Sequence, residues 1–266
     1  MGWGDPKVTG VLPIALNEAT KVIQVLLTSG KEYVCVMRLH SEVPEERIKK
    51  VLEEFQGLIY QRPPVRASVK RRLRVRKIYY IDLLEVDGRN VLFKVGCEAG
   101  TYIRKLTHDI GEVLGCGAHM QELRRTRAGP FTEDEDSITL HELYYYYSKW
   151  TETGDESLIR KFILPMERAL TLIPKIYIRD SAVDAICHGA HLTAPGVTSL
   201  ETKIKPKTLV AIMTQKGEAV ALAKATATTE QIIKMKHGII AKTERVLMPR
   251  GTYPKKWKTK KRAGVS

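Results

Sequence analysis

An α+β fold in two parts, a larger domain of mixed helices and strands followed by a small β-barrel, is what the sequence predicts. Three observations carry that reading. Segments with helical spacing and segments with strict alternation follow one another between Val11 and Thr126. Two strand-like runs flank Asp87-Gly88, a hairpin signal. Beyond Leu172 short strands and glycine turns take over for roughly 80 residues, the spacing of a small barrel.

The elements follow in order. Val11 to Leu27 places Leu12, Leu16, Ala19, Ile23 and Leu26 at helical spacing and predicts a helix entered from the Thr9-Gly10 turn. Lys31 to His40 alternates and reads as a strand buried on both faces. Pro44 with Glu45 and Glu46 marks a helix start, with acids near the positive end of the dipole. Ile48, Val51, Leu52 and Phe55 form its core face, and Gly57 ends it. Pro63-Pro64 excludes a helix or a central strand, so an exposed loop is expected to lead into a basic strand, with Leu73 and Val75 alternating with Arg72, Arg74 and Arg76. Tyr79 to Val86 and Asn90 to Cys97 make the hairpin. Gly100-Thr101 is expected to cap a helix from Tyr102 to Leu114, and His119 to Thr126 is a further strand. The run Tyr144 to Tyr147 lies in a helix whose four adjacent rings cannot share one face, which predicts core and rim rather than a stacking platform. In the last part, strands are expected at Lys175-Ile178, His188-Gly189-Ala190, Ala194 to Val197, Leu209-Met213 and Gly217-Ala223. The basic stretch from Gly251 reads as a loosely ordered tail that docks through Trp257.

Composition narrows the function. The chain has 266 residues, 43% of them hydrophobic, enough for a core, and a formal net charge of +14. A surplus that large points to a polyanionic partner, nucleic acid first. No apolar run reaches the ~18 residues of a membrane span, so no membrane is expected. Cys35, Cys97, Cys116 and Cys187 lack zinc-site spacing and read as buried thiols in a reducing cytosol. His108, His119, His188 and His191 make no ligand pattern, so no metal is expected.

Singly, the chemistry-bearing residues have bland readings: Asp5 a turn aspartate, Tyr33 a core ring, Arg104 a surface cation. The basic segment Lys70, Arg71, Arg72, Arg74 and Arg76 is either a solvated edge strand or an RNA-contacting loop; its charge density exceeds what edge protection needs.

Together these residues match a family. Asp5-Pro6-Lys7-Val8-Thr9-Gly10-Val11-Leu12-Pro13 resembles the aspartate motif of the TruB group of pseudouridine synthases, Lys31-Glu32-Tyr33 its tyrosine motif, and Gly100-Thr101-Tyr102-Ile103-Arg104 its arginine motif. Glu122 to Phe131 resembles the strand that closes the active site. Gln61-Arg62-Pro63-Pro64 with Ser68-Val69-Lys70 is similar to the dyskerin branch, the catalytic subunits of box H/ACA particles. His188-Gly189-Ala190 followed by Pro195-Gly196 resembles a PUA signature. The resemblance implies a catalytic domain with a mixed or antiparallel sheet over 1-171, a PUA β-barrel over 172-250 and a basic tail over 251-266. It departs from the family in reading Gly2-Trp3-Gly4 where a Gly-Thr-Leu stretch usually precedes the aspartate, and the family carries further chain upstream. An N-terminally incomplete catalytic domain is therefore expected.

What the resemblance implies chemically is the isomerisation of uridine in RNA. Asp5 acts as nucleophile at C1′ or as base at C2′, both open; Arg104 pairs with it, and Tyr33 stacks on the base. Ile103, Leu123 and Tyr102 wall the pocket. Arg62, Arg124, Arg125 and the basic segment contact RNA, and Gly189, Ala190 and Gly196 let the PUA backbone approach the ACA end of a guide. No cofactor is implied. Implied partners are a box H/ACA guide RNA, ribosomal RNA and, without a guide, tRNA. Three small proteins are implied with them: a zinc-ribbon type, a β-barrel type and a kink-turn binder. The absence of long Lys/Glu tracts suggests an archaeal, cytoplasmic protein (nucleolar in a eukaryote). A non-catalytic, truncated RNA-binding scaffold is the rival expectation.

Overall fold

The alternating segments of the first part pair into one sheet. The computed structural model describes residues 8–63, 70 and 72–256. Two compact units are present, one formed by residues up to Ile14 with Leu26–Leu164, the other by Ala15–Val25 with the chain from Pro165. Residues 15–25 thus pack with the second unit although they lie between two stretches of the first in the chain.

The first unit holds strands β1 (Val8–Gly10), β2 (Lys31–Leu39), β3 (Gly57–Gln61), β4 (Arg74–Asp87), β5 (Asn90–Cys97), β6 (Ala118–Ala128) and β7 (Phe131–Thr132). Their order is β1-β6-β2-β5-β4-β3, with β7 attached to β6. Only β1 runs parallel to its neighbour β6; the other pairs are antiparallel. Helix α1 (Ile23–Thr28) leads into β2, α2 (Glu45–Glu54) links β2 to β3, and α3 (Ile103–Leu114) links β5 to β6. Helices α2 and α3 bury Ile48, Leu52, Leu106 and Ile110 against Cys35, Met37, Phe93 and Val95, which alternate along β2 and β5. The hairpin expected at Asp87-Gly88 is present, with Asp87 opposite Asn90. The α2 core face is as read, with Ile48, Val51 and Leu52 buried and Phe55 packed beside them.

Several local expectations are corrected. No helix starts at Val11: a 3-10 turn begins at Asn17 and α1 at Ile23, and Leu12, Ile14 and Leu16 are exposed. Pro13 lacks the N–H a continuing helix needs, and Asn17 takes a left-handed φ of +46°, so no helix runs through this stretch. The basic strand is the first half of the long β4, and Leu73 and Val75 are its exposed side, whereas Arg74 and Arg76 are half-buried. Beyond α4 (Glu133–Asp136), α5 (Leu140–Thr153) buries no residue: Tyr144, Tyr145 and Tyr147 are exposed, and Tyr146 alone of the run stacks on Phe162, 5.2 Å between centroids.

In the second unit β8 (Lys175–Ile178), β9 (Leu192–Thr193), β10 (Val197–Leu200), β11 (Leu209–Thr214), β12 (Ala219–Ala225) and β13 (Ile239–Val246) form a sheet ordered β10-β8-β11-β12-β13-β9. Its two outermost strands, β9 and β10, are joined by the three-residue 3-10 turn Ala194–Gly196. So short a link forces the sheet to curl until its ends meet, which makes it barrel-like. Ile176, Ile178, Val210, Ile212, Val220 and Ile240 fill the interior. His188-Gly189-Ala190 is not a strand but the end of helix α6 (Asp180–Cys187), and α7 (Thr229–Lys234) opens on a Thr228/Gln231 capping box. Tyr253 is 9% exposed and donates from its hydroxyl to Glu218 Oε2 at 2.5 Å, so the start of the tail is anchored; Trp257 lies outside the described residues.

Candidate active site

Three of the sequence motifs meet on adjacent strands. Tyr33 stands on β2, between Val95 of β5 and Arg125 of β6. It is half-buried; burial pushes its hydroxyl pKa up, and the positive charge of the nearby Arg125 guanidinium pulls the other way. The strand within the aspartate motif, β1, lies along the closing strand with Val8 opposite Leu123 and Gly10 opposite Arg125. Gly10 is required there: its φ is +94°, and an added Cβ would stand 2.1 Å from the Arg125 carbonyl oxygen. Beyond it Val11 N donates to Arg125 O at 2.8 Å, and Arg125 Nε donates to Val11 O at 2.6 Å. Arg125 is therefore tied through both backbone and side chain to the aspartate-motif chain, directly opposite Tyr33 in the sheet. Asp5 lies outside the described residues, as does Arg71.

The arginine motif is placed by α3. Ile103 is 4% exposed and packs in the core cluster with Leu123, while Arg104 faces out. Thr101 does not cap the helix, because its hydroxyl donates back to Glu98 O. The N-cap is the half-buried Tyr102, and its backbone is held by Gln61, a fully enclosed side chain at the end of β3. Gln61 Oε1 accepts from Tyr102 N at 2.9 Å and Gln61 Nε2 donates to Tyr102 O at 3.1 Å. A buried amide that satisfies both backbone polar groups of one residue fixes where the helix begins. Arg104 and Leu123 line a cleft of about 450 Å³ with Lys105, His108, His119 and Met120; Tyr33 does not line it. A larger cleft, about 960 Å³, opens beside β3 with Tyr60, Arg62, Leu73, Lys105 and Asp109 on its walls, and of the chemistry-bearing residues it touches only Arg62.

The cations divide. Arg62, Lys70 and Arg72 are exposed. Arg76 lies over Gly100, its Nη2 3.1 Å from where a Cβ would stand, so the basic strand touches the arginine motif. Arg124 Nε donates to Glu133 Oε2 at 2.7 Å. In the second unit Gly189 and Ala190 form the exposed turn after α6, with Ala190 O accepting from Thr243 Oγ1 at 2.7 Å, and Gly196 O accepts from Arg179 N at 2.9 Å. His40 and His119 share a 3.1 Å nitrogen–nitrogen contact, and among the described residues no group of three His, Cys, Asp or Glu side chains is placed to hold a metal ion. No described helix is long and apolar enough to cross a membrane. Sequence reading missed Gln61 as a site-building residue; its signal was a lone polar side chain closing a strand that pairs with the basic segment.

Comparison with known proteins decides the family. The chain matches the TruB family pseudouridylate synthase N-terminal domain over residues 1–103, the tRNA pseudouridylate synthase B C-terminal domain over 104–171, and the PUA domain over 174–247. A probable tRNA pseudouridine synthase B of Methanopyrus kandleri is 60% identical over 256 residues, 96% of this chain and 75% of that protein. The chain is a TruB-family pseudouridine synthase. A probable tRNA pseudouridine synthase B of Pyrococcus abyssi is likewise 60% identical, over 96% of the chain and 77% of that protein. Among solved structures, a Cbf5-Nop10-Gar1 complex aligns with TM-score 0.92 at 58% identity, covering 94% of this chain and 76% of that one. An H/ACA RNP bound to a substrate RNA containing 2'-deoxyuridine aligns with TM-score 0.90 at 55% identity, over 96% and 78%. This TruB-family synthase thus pairs a mixed-sheet catalytic fold with a curled PUA sheet.

Proposed function

We propose that this synthase isomerises uridine in ribosomal RNA under the direction of a box H/ACA guide, and tRNA without one, using Asp5, Tyr33 and Arg104. The observation that carries the site is the parallel pairing of β1 with β6, which lays the chain following Asp5 along Leu123–Arg125 and beside Tyr33. The reaction breaks the C1′–N1 bond, rotates the base, and forms C1′–C5; C5 loses a proton and N1 gains one. Asp5 attacks C1′ or removes the C2′ proton, Arg104 keeps it ionised, and Tyr33 stacks on the base, which leaves its helix to reach the pocket. Ile103, Leu123 and Tyr102 exclude water while the base is detached. Arg62, Lys70, Arg71, Arg72, Arg74, Arg76, Arg124 and Arg125 form the basic surround, and Gly189 and Ala190, with Gly196 in the turn between β9 and β10, the guide-facing turns of the PUA part. In domain terms, 1–171 is catalytic, 172–250 binds guide RNA and 251–266 is a basic tail.

The partners follow from the relatives, whose solved complexes contain Nop10, Gar1 and substrate RNA. For this chain they are a guide RNA and three small proteins of zinc-ribbon, β-barrel and kink-turn-binding types, in the cytoplasm. The test is tritium release from C5-labelled uridine in guide-paired RNA with the small partners added. The parent releases tritium and Asp5→Asn does not; equal release by both removes Asp5 from the chemistry. No release by either moves the chain to a scaffold role.

A further inference from the structure

Tyr33 is flanked by an irregularity in the sheet. Between β2 and β6, Glu32 pairs with Arg127, but the next residue, Tyr33, pairs with Arg125. Thr126 is the extra residue of a β-bulge. Had the pairing run on without it, Arg124 would oppose Cys35, which is wholly buried, and Leu123 would turn to the other face, since a one-residue slip inverts every side chain. The bulge therefore decides that Leu123 and Arg125 share a side with Tyr33. Because β1 pairs with the same three residues of β6, it also sets the height of the chain leading back to Asp5.

The bulge is held by a network on the opposite face. Thr126 Oγ1 donates to Glu32 Oε1 at 2.7 Å. The Tyr80 hydroxyl donates to Glu32 Oε2, and Arg127 Nη2 donates to the Tyr80 oxygen at 2.8 Å. Arg127 also stands 3.9 Å from the Glu32 carboxylate. These residues lie in one row across four strands: Arg127 on β6, Glu32 on β2, Gly96 on β5, Tyr80 on β4. Tyr80 reaches over β5 to Glu32 because Gly96 has no side chain; a Cβ there would stand 2.3 Å from the ring. The β4–β5 pairing carries its own irregularity beside Tyr80.

We propose that Glu32, with Thr126, Tyr80 and Arg127, is a positioning group for the reaction: it pins the Thr126 bulge and so holds Tyr33, Leu123 and Arg125 in one pocket register. The inference rests on the site reading given under Proposed function. The carboxylate makes the lock because it alone in the row accepts from two strands at once; each oxygen takes one neutral hydroxyl donor, and Arg127 balances the charge.

Thr126→Val keeps the branched shape and removes the donor; Thr126→Ser restores it. In the tritium-release assay Thr126→Val is expected to lower kcat on the order of 10- to 100-fold with KM for RNA changed far less, since the reacting groups are misplaced while the RNA-contacting residues outside β6 are kept. Thr126→Ser is expected to recover most of kcat. Amide hydrogen exchange of the RNA-free chain is the second readout. Residues 31–39 and 118–128 are expected to exchange on the order of tenfold faster in Thr126→Val, with α3 and the second unit unchanged. Parental kcat in Thr126→Val overturns the proposal, as does unchanged exchange in those two segments, or a uniform rise everywhere that serine does not reverse. Should the parent itself release no tritium, the function reading fails, and the exchange experiment alone decides the register lock.

Discussion

Replacing Gln61 by leucine tests whether one buried amide sets the start of the helix that carries the arginine motif. Gln61 is 2% exposed, so leucine fills nearly the same enclosed space, and packing changes little. What is lost is the pair of bonds to Tyr102. The Tyr102 carbonyl also accepts from Leu106 N at 3.0 Å and keeps that partner, so the cost falls on the Tyr102 N–H. A donor left without its partner in an enclosed setting costs about 1–3 kcal/mol. Urea unfolding followed by circular dichroism should show a lower midpoint at unchanged slope. Gln61→Glu adds a pH signature. Its carboxylate can still accept from Tyr102 N but sets its second oxygen against Tyr102 O, where the parent has a donor. Protonation restores that donor, so the folded-state pKa lies above the unfolded value of about 4.3. A raised pKa gives stability that is complete below the unfolded value and lost as pH rises through the folded one. Gln61→Glu should therefore approach the parent in acid and fall behind it at neutral pH. Parental stability in Gln61→Leu, or a Gln61→Glu deficit that does not change with pH, refutes the reasoning.

Three more expectations follow from the same contacts. Gly10→Ala puts a side chain at φ +94° and against the Arg125 carbonyl, so it should cost about 1–3 kcal/mol and lower tritium release more than a parental fold would suggest; a parental thermal midpoint contradicts this. Glu32 has its pKa held below the usual carboxylate range: burial pushes it up, and the hydroxyls of Tyr80 and Thr126, with Arg127, more than offset that. A depressed pKa contributes stability present above the unfolded value and lost as pH falls through the folded one, so Glu32→Gln should flatten the acid limb of the stability profile below about pH 4.3. Tyr146→Ala removes the stack on Phe162 and should cost at least about 0.5–1.5 kcal/mol, whereas Tyr144→Ala, 73% exposed, should stay within about 0.5 kcal/mol; equal effects would show that the run acts as a unit.

Residue types in order along the chain carried the family resemblance, the motif order and most of the strands. Period-2 alternation survives in any fold that buries one face of a strand, so β2, the β4–β5 hairpin and β6 were legible. So was the α2 core face, because four apolar positions at helical spacing leave it one way to pack. Chain-local patterns could not say which side of β4 is covered, and Arg74 and Arg76 proved more enclosed than Leu73 and Val75. They also missed the detachment of residues 15–25 to the second unit, whose contacts lie more than a hundred residues away, such as Lys21 Nζ to Val246 O at 2.9 Å.

The site shows the same division. Tyr33, Arg104 and Leu123 were singled out as candidates because a motif is written in residue types. The groups that hold them were not: Gln61 acts on a peptide 41 residues away, and Glu32 reaches Tyr80 across 48 residues and an intervening strand. A bulge is a mismatch between two strands, and neither strand's own sequence contains it. Only tertiary structure decides such features, because hydrogen-bond satisfaction and register are properties of pairs of segments, and their free energy appears only when the partners have met.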